Sequence, residues 1–261
     1  MQALYIASTG MAAQEENVNV ISNNIANMRT TGYKRQRAEF QDLLYQEFRR
    51  AGSTTSDSGT QLPVGIEIGS GVRLSATTRD MSAGSIVASG KDLDMAVQGD
   101  GYFAIDLPNG QTAYTRDGSF ERDGTGKLVT QDGYAVEPGI TIPDNANSIS
   151  ISPDGIVTAV IGTATTPTQL GQIQLARFVN KGGLQSMGSN LFLETPSSGP
   201  AQVQVPNADG MGSIMQSYLE DSNVDSVTEI ANLIAAQHAY EMNARVVTGA
   251  DEMLQTTTQM K

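Results

Sequence analysis

His238 is the single histidine in the chain, so a Ser-His-Asp triad has only one candidate base. It lies inside an amphipathic C-terminal segment, away from the turns where catalytic groups collect, and reads as a helix-packing residue. Gly124-Thr125-Gly126-Lys127 has the ending of a phosphate loop, but Leu128 stands where the hydroxyl residue is needed and the first glycine is missing at its spacing. A hairpin turn accounts for it. Gly99-Asp100-Gly101 and Gly69-Ser70-Gly71 stop short of a dinucleotide fingerprint and no helix signal follows them. Asp117, Asp123 and Asp132 each sit beside a glycine in turn contexts, without the alternating oxygen ligands of a calcium loop. The chain has no cysteine, which removes thiol catalysis, disulfides and Cys-zinc sites together. These residues imply no metal and no cofactor, and the chain reads as a non-enzyme, with a hydrolase built on an acidic pair as a remote alternative.

Lys34, Arg35 and Arg37 form the one basic cluster in a chain of net charge −12. Solvated surface is one reading, and contact with an acidic patch on a neighbouring copy is the other. The excess negative charge lies wholly after residue 50, which argues against nucleic-acid binding. With 39% apolar residues, 5% aromatics, no Trp and 27 Gly, the supply for one compact core is thin, and several small cores in an elongated molecule fit better. No apolar run approaches the ~18 residues of a membrane span, and the N-terminus lacks the pattern of a secretory signal. On these criteria alone the chain would be soluble and cytoplasmic.

The elements that must position these residues follow from Gly and Pro. All nine Pro and 24 of the 27 Gly fall between Gly52 and Gly212, so the ends are helical territory and the middle is not. Leu4, Met11, Val18 and Ile25 recur every seven residues, with Ala7, Ile21 and Met28 on the adjoining row and Gln14 interrupting it. Leu233, Tyr240, Val247 and Leu254 repeat at the same interval, flanked by Ile230, Ile234 and Ala244, after a capping-box pattern of Ser226 and Glu229. Each stripe needs a cover, either a globular core or the other terminal helix. In the middle, short runs such as Met95 with Val97, Phe103 with Ile105, Ile140 with Ile142, Ile149 with Ile151 and Ile156 to Val160 read as antiparallel strands between turns. Residues 52–61 are polar and read as an exposed loop. The expected fold is therefore α+β: paired N- and C-terminal helices, coiled-coil-like, around a mainly antiparallel β middle. The expected division is 1–50 with 213–261 as an inner helical domain, 51–90 as an extended linker or hairpin, and 91–212 as an outer β-rich domain.

Directly after the first heptads, Ala26-Asn27-Met28-Arg29-Thr30-Thr31-Gly32-Tyr33-Lys34 forms a helix exit, with Gly32 able to take positive φ. This segment resembles the signature of the bacterial flagellar rod and hook family. Gly99-Asp100-Gly101-Tyr102-Phe103, Tyr114-Thr115-Arg116-Asp117-Gly118-Ser119-Phe120 and Ser222-Asn223-Val224-Asp225 resemble further family motifs, in the family's order. Phe40 to Gln46, the polar stretch after it and Leu62 to Val72 are similar to the distal-rod branch rather than to hook or proximal-rod members, and Gln14 departs from the heptad pattern.

The resemblance implies a structural subunit that self-assembles helically into a drive shaft, with terminal helices lining an export channel and the β-rich middle outside. It implies partners as well: other copies of the chain, proximal rod subunits, the hook, the periplasmic and outer-membrane rings and the flagellar export apparatus, with no nucleic acid and no direct membrane insertion. The implied location is the basal body from periplasm to outer membrane, reached by flagellar export without a cleaved signal peptide. The assembly residues it suggests are Leu4, Met11, Val18, Ile25, Asn27, Gly32, Tyr33, Lys34, Arg35, Arg37, Leu233, Tyr240, Val247 and Leu254. A proximal rod subunit and a secreted β-rich binding module stay open beside it.

Overall fold

The computed structural model describes residues 2–52, 63–162, 166–208 and 210–259, so most of the polar loop expected at 52–61 lies outside the described residues. The chain divides into two compact units, one made of residues 1–25, 36–78 and 226–261, the other of 26–35 and 79–225.

The first unit contains two helices, α1 (Gln2–Ala26) and α2 (Ser226–Gln259). Both lie in the Gly- and Pro-poor ends, where helix propagation is not interrupted. Residues 36–50, expected to be helical territory, are instead strands. Gln36–Asp42 pairs with Val72–Arg79, and Tyr45–Arg49 pairs antiparallel with Ile66–Gly69. Leu43 N–H to Gly71 O (2.8 Å) and Ser70 N–H to Leu44 O (3.2 Å) carry the pairing across the interruption, giving one long ribbon. The lack of Gly and Pro in this stretch marks regular structure without choosing its type. Gly71 has φ +118°, and a Cβ there would stand 2.2 Å from the Thr9 hydroxyl, so the ribbon approaches α1 closely at this point.

The second unit is antiparallel throughout its described ladders. Tyr102–Asp106 is the hub, pairing with Thr112–Thr115, Ala135–Val136 and Leu175–Arg177 in a sheet of nine strands among the described residues. Ala146–Ile151, Ile156–Ile161 and Thr168–Gln172 form a three-stranded meander. Alternation puts Phe103 and Ile105 into a large apolar cluster with Met95, Val97, Phe120, Leu175 and Ile214, while Tyr102 and Ala104 face a smaller one with Phe178 and Phe192. Phe103 and Phe120 meet edge to face at 5.1 Å. Ile140 and Ile142 are buried as expected, but they flank an isolated bridge at Thr141 rather than a strand.

Residues 213–225, expected in the helical domain, belong to this second unit. Ser213–Gln216 pairs with Met95–Gln98, and Tyr218–Glu220 pairs with Ile86–Ala88. Ile214 is the reason: it is buried in the large cluster and holds the strand to Val97.

Candidate assembly interface

The helix pair is built on small and polar residues. Asn24 is buried, and its Nδ2 donates to Glu229 Oε2 at 3.0 Å. Asn24 also reads both backbone groups of Gln36, donating to its carbonyl (2.8 Å) and accepting from its N–H through Oδ1 (2.9 Å). Fourteen residues away on each helix, a Cβ on Gly10 would lie 2.8 Å from Asn243 Nδ2. The two pairs run in opposite directions along the chain, so α1 and α2 are antiparallel, and the spacing is two heptads on both. Glu229, Ala236 and Ala250, the buried residues of α2, fall on that same seven-residue row with Asn243. Small side chains let the two backbones approach closely.

Apart from Ile21, which is buried, most of the larger apolar residues of the two helices stay open or half-open. Leu4, Met11, Val18 and Ile25 are half-buried, as are Leu233 and Val247. Tyr240 and Leu254 are exposed, and so are Val227, Ile230, Ile234, Met242, Val246 and Met253. α2 therefore keeps large apolar side chains open within one chain from Val227 to Leu254, over about 40 Å of helix at 1.5 Å per residue. His238 is on α2 with its side chain 70% exposed, so the expected packing role fails in the single chain; its Nδ1 lies 3.9 Å from Glu241.

The helix exit is tied into the second unit. Thr30 N–H bonds Asn27 O at 3.1 Å, and the Thr30 hydroxyl lies 3.1 Å from Asn27 Oδ1, closing the turn. Gly32 is buried with φ +67°; a side chain there would stand 2.8 Å from Asp117 N, and its N–H bonds Glu220 O at 2.8 Å. Tyr33 is half-buried beside it.

Lys34 departs from the surface expected of the basic cluster. It is 2% exposed, and its Nζ bonds Glu220 Oε1 and Ser82 O (2.7 Å). Burial pushes the Lys34 ammonium below its ordinary pKa, and Glu220 opposes that shift. Arg37 is exposed and binds Glu39, whose carboxyl is held below the usual range by hydrogen bonds from Arg37 and Thr78. Arg35 is half-buried, with its backbone N–H on Asn223 Oδ1 at 2.7 Å. The cluster is thus divided by acidic partners at residues 39 and 220, the second of which sequence proximity could not reveal.

The remaining motifs are structural. Arg116 is buried; Nε donates to Glu220 Oε2 (2.8 Å), Nη1 to Gly99 O (2.9 Å) and Gly101 O (2.6 Å), and Nη2 to Val97 O (3.2 Å). Asp117 Oδ1 accepts from Ser119 N–H at 3.0 Å, and Asp123 Oδ1 accepts from Thr125 and Lys127 N–H, each at 2.8 Å. Both aspartates cap turns, and Gly124 to Lys127 is the hairpin turn. Among the described residues no group of three or more His, Cys, Asp or Glu could hold a metal ion, and no helix is long and apolar enough to cross a membrane. Asn24, Arg116, Glu220 and Asn223 were absent from the sequence-derived site; only their places inside or beside recognised motifs hinted at them.

Three family models match: "Flagella basal body rod protein" over residues 4–34, "Flagellar hook protein FlgE/F/G D1 domain" over 96–159 and "Flagellar basal body rod FlgEFG protein C-terminal" over 215–260. The chain is 53% identical over 261 residues to the flagellar basal-body rod protein FlgG of Caulobacter vibrioides, covering 100% of both. It is 51% identical to that of Agrobacterium fabrum over 97% of each chain, and 38% identical to that of Bacillus subtilis over 100% of this chain and 99% of the relative.

Proposed function

The chain belongs to the flagellar basal-body rod protein family, and from that premise we propose that it is a structural, non-enzymatic subunit of the distal rod, the drive shaft that transmits torque and encloses the export channel. The observation that carries the assembly mechanism is the division of labour on α2: small and polar residues hold α1, while Ile230, Ile234, Tyr240, Met242 and Leu254 stay open. Open apolar surface on that scale marks an interaction face. Other copies of the chain cover it, and because the contact joins different faces of successive copies it repeats without closing, giving a helical tube. The half-buried stripe of α1, from Leu4 to Ile25, contributes to the same contact. Proximal rod subunits below, hook subunits above, the surrounding rings and the export apparatus are the neighbours this role requires.

Leu254→Asp tests the mechanism. Leu254 is 42% exposed in the single chain, so the charge costs little in a monomer and several kcal/mol once neighbours cover it. The expected variant is exported, keeps the melting transition of its β-rich unit, and gives no rod beyond the proximal segment. Rods of normal length from this variant would overturn the assignment of α2 as the assembly face. Purified protein should likewise add to isolated rod ends, which a secreted binding module would not do.

A further inference from the structure

Lys34, Glu220 and Arg116 form a buried cluster in which one carboxylate sits between two cations. The surplus positive charge is spread by the Arg116 fork onto the carbonyls of Val97, Gly99 and Gly101. Around it, three segments distant in sequence are bonded pairwise, each pair more than once. Residues 29–35 reach 80–85 through Lys34 Nζ to Ser82 O and Asp80 N–H to Arg35 O (2.9 Å). They reach 218–224 through Lys34 to Glu220, Gly32 N–H to Glu220 O and Arg35 N–H to Asn223 Oδ1. Residues 80–85 reach 218–224 through Gly84 N–H to Glu220 Oε1 (2.9 Å), Asp221 N–H to Ser85 O (2.8 Å) and Asn223 Nδ2 to Asp80 O (2.9 Å).

We propose that this closed triangle is a clasp whose three segments open and close as one, and that forming it, rather than meeting another subunit, is what Lys34 contributes. No segment can leave without breaking bonds to both of the others, and the departure of 29–35 or of 218–224 would also part Lys34 from Glu220. The clasp also has a place in the chain path. Three of the four points where the chain passes between its two units follow Arg35, precede Arg79 and follow Asp225, within a few residues of clasp bonds. It therefore fixes, within the β-rich unit, the spacing of the points at which the chain leaves it. The proposal concerns the single chain and does not rest on the distal-rod assignment.

Hydrogen exchange on the purified full-length monomer tests it. In Lys34→Met the amides of all three segments should exchange at least about tenfold faster, by a shared factor, while those of Tyr102–Asp106 keep their protection; Arg37→Gln, which removes an exposed cation nearby in sequence, should leave all three unchanged. Acceleration confined to residues 33–35, or unequal factors in the three segments, would overturn the clasp. If Lys34→Met does not fold, the unmodified monomer decides: under increasing sub-denaturing urea the three segments must converge on one opening free energy and one urea dependence, and separate openings would sink the idea.

Discussion

Asn24 and Glu229 stand 205 residues apart in sequence and meet through a hydrogen bond of 3.0 Å at the buried seam of α1 and α2. The amide that makes this bond also holds both backbone groups of Gln36, so one side chain sets the helix pair and the first strand of the ribbon.

Asn24→Ala should leave Glu229 buried beside an empty place and cost about 1–3 kcal/mol. The loss is expected in the helices, seen as faster exchange across α1 and α2 and weaker helical circular dichroism, with the strands around Tyr102–Asp106 unaffected. Unchanged helix protection would show that the seam is held elsewhere.

Two glycines give a paired comparison. A Cβ on Gly118 would lie 1.5 Å from the backbone oxygen of Met95, a position that cannot yield without breaking the Gly118 O to Met95 N–H bond of 3.0 Å. A Cβ on Gly124 would meet nothing within 4 Å. Gly118→Ala should therefore lower the stability of the β-rich unit by more than about 4 kcal/mol, while Gly124→Ala should melt like the unmodified protein. Calorimetry on the two variants distinguishes a required glycine from a merely convenient one.

Residues 91–212, the β domain drawn from sequence, should not fold cooperatively when expressed alone. That fragment lacks Ile214, which fills the large cluster, and Glu220, without which Arg116 is left charged and buried. A sharp two-state unfolding transition of the fragment would contradict this.

Alkaline pH should weaken the β-rich unit. Burial pushes the Tyr102 phenol up to about 12 and raises that of Tyr114 as well. With folded values above unfolded ones, the stability these residues supply is whole below pH ~10 and is lost as pH climbs toward 12. Lys34, whose value is lowered, acts with the opposite sign: its contribution grows with pH and is complete above the ordinary lysine value of 10.5. Phenolate absorbance of the buried tyrosines should therefore rise together with unfolding. A smooth titration of all eight tyrosines near pH 10, with the fold intact, would refute it.

The α+β organisation was legible because Gly and Pro counts separate helix from turn-rich sheet, and Gly32 announced its positive φ because only a helix exit explains it there. The seam was legible only as a seven-residue period. The apolar row drew attention, whereas the partner helix is met by Glu229, Ala236 and Asn243. Hydrophobic pattern marks what a helix must hide in its final setting, not which neighbour hides it. Lys34 was misplaced for a related reason: a cationic side chain reads as exposed until its carboxylate, 186 residues away, is brought to it by the fold.

The seam of α1 and α2 has one more property. A seven-residue repeat on both helices would by itself make alignments shifted by one heptad nearly equivalent. Gly10 opposite Asn243 and Asn24 opposite Glu229 remove that degeneracy. A shift one way sets Asn24 against Ala236 and crowds Asn243 against Asn17; a shift the other way carries Asn24 beyond the first residue of α2 and takes Gly10 away from Asn243. The pair is keyed, so the folding chain has one alignment to find among several that its apolar repeat would have accepted.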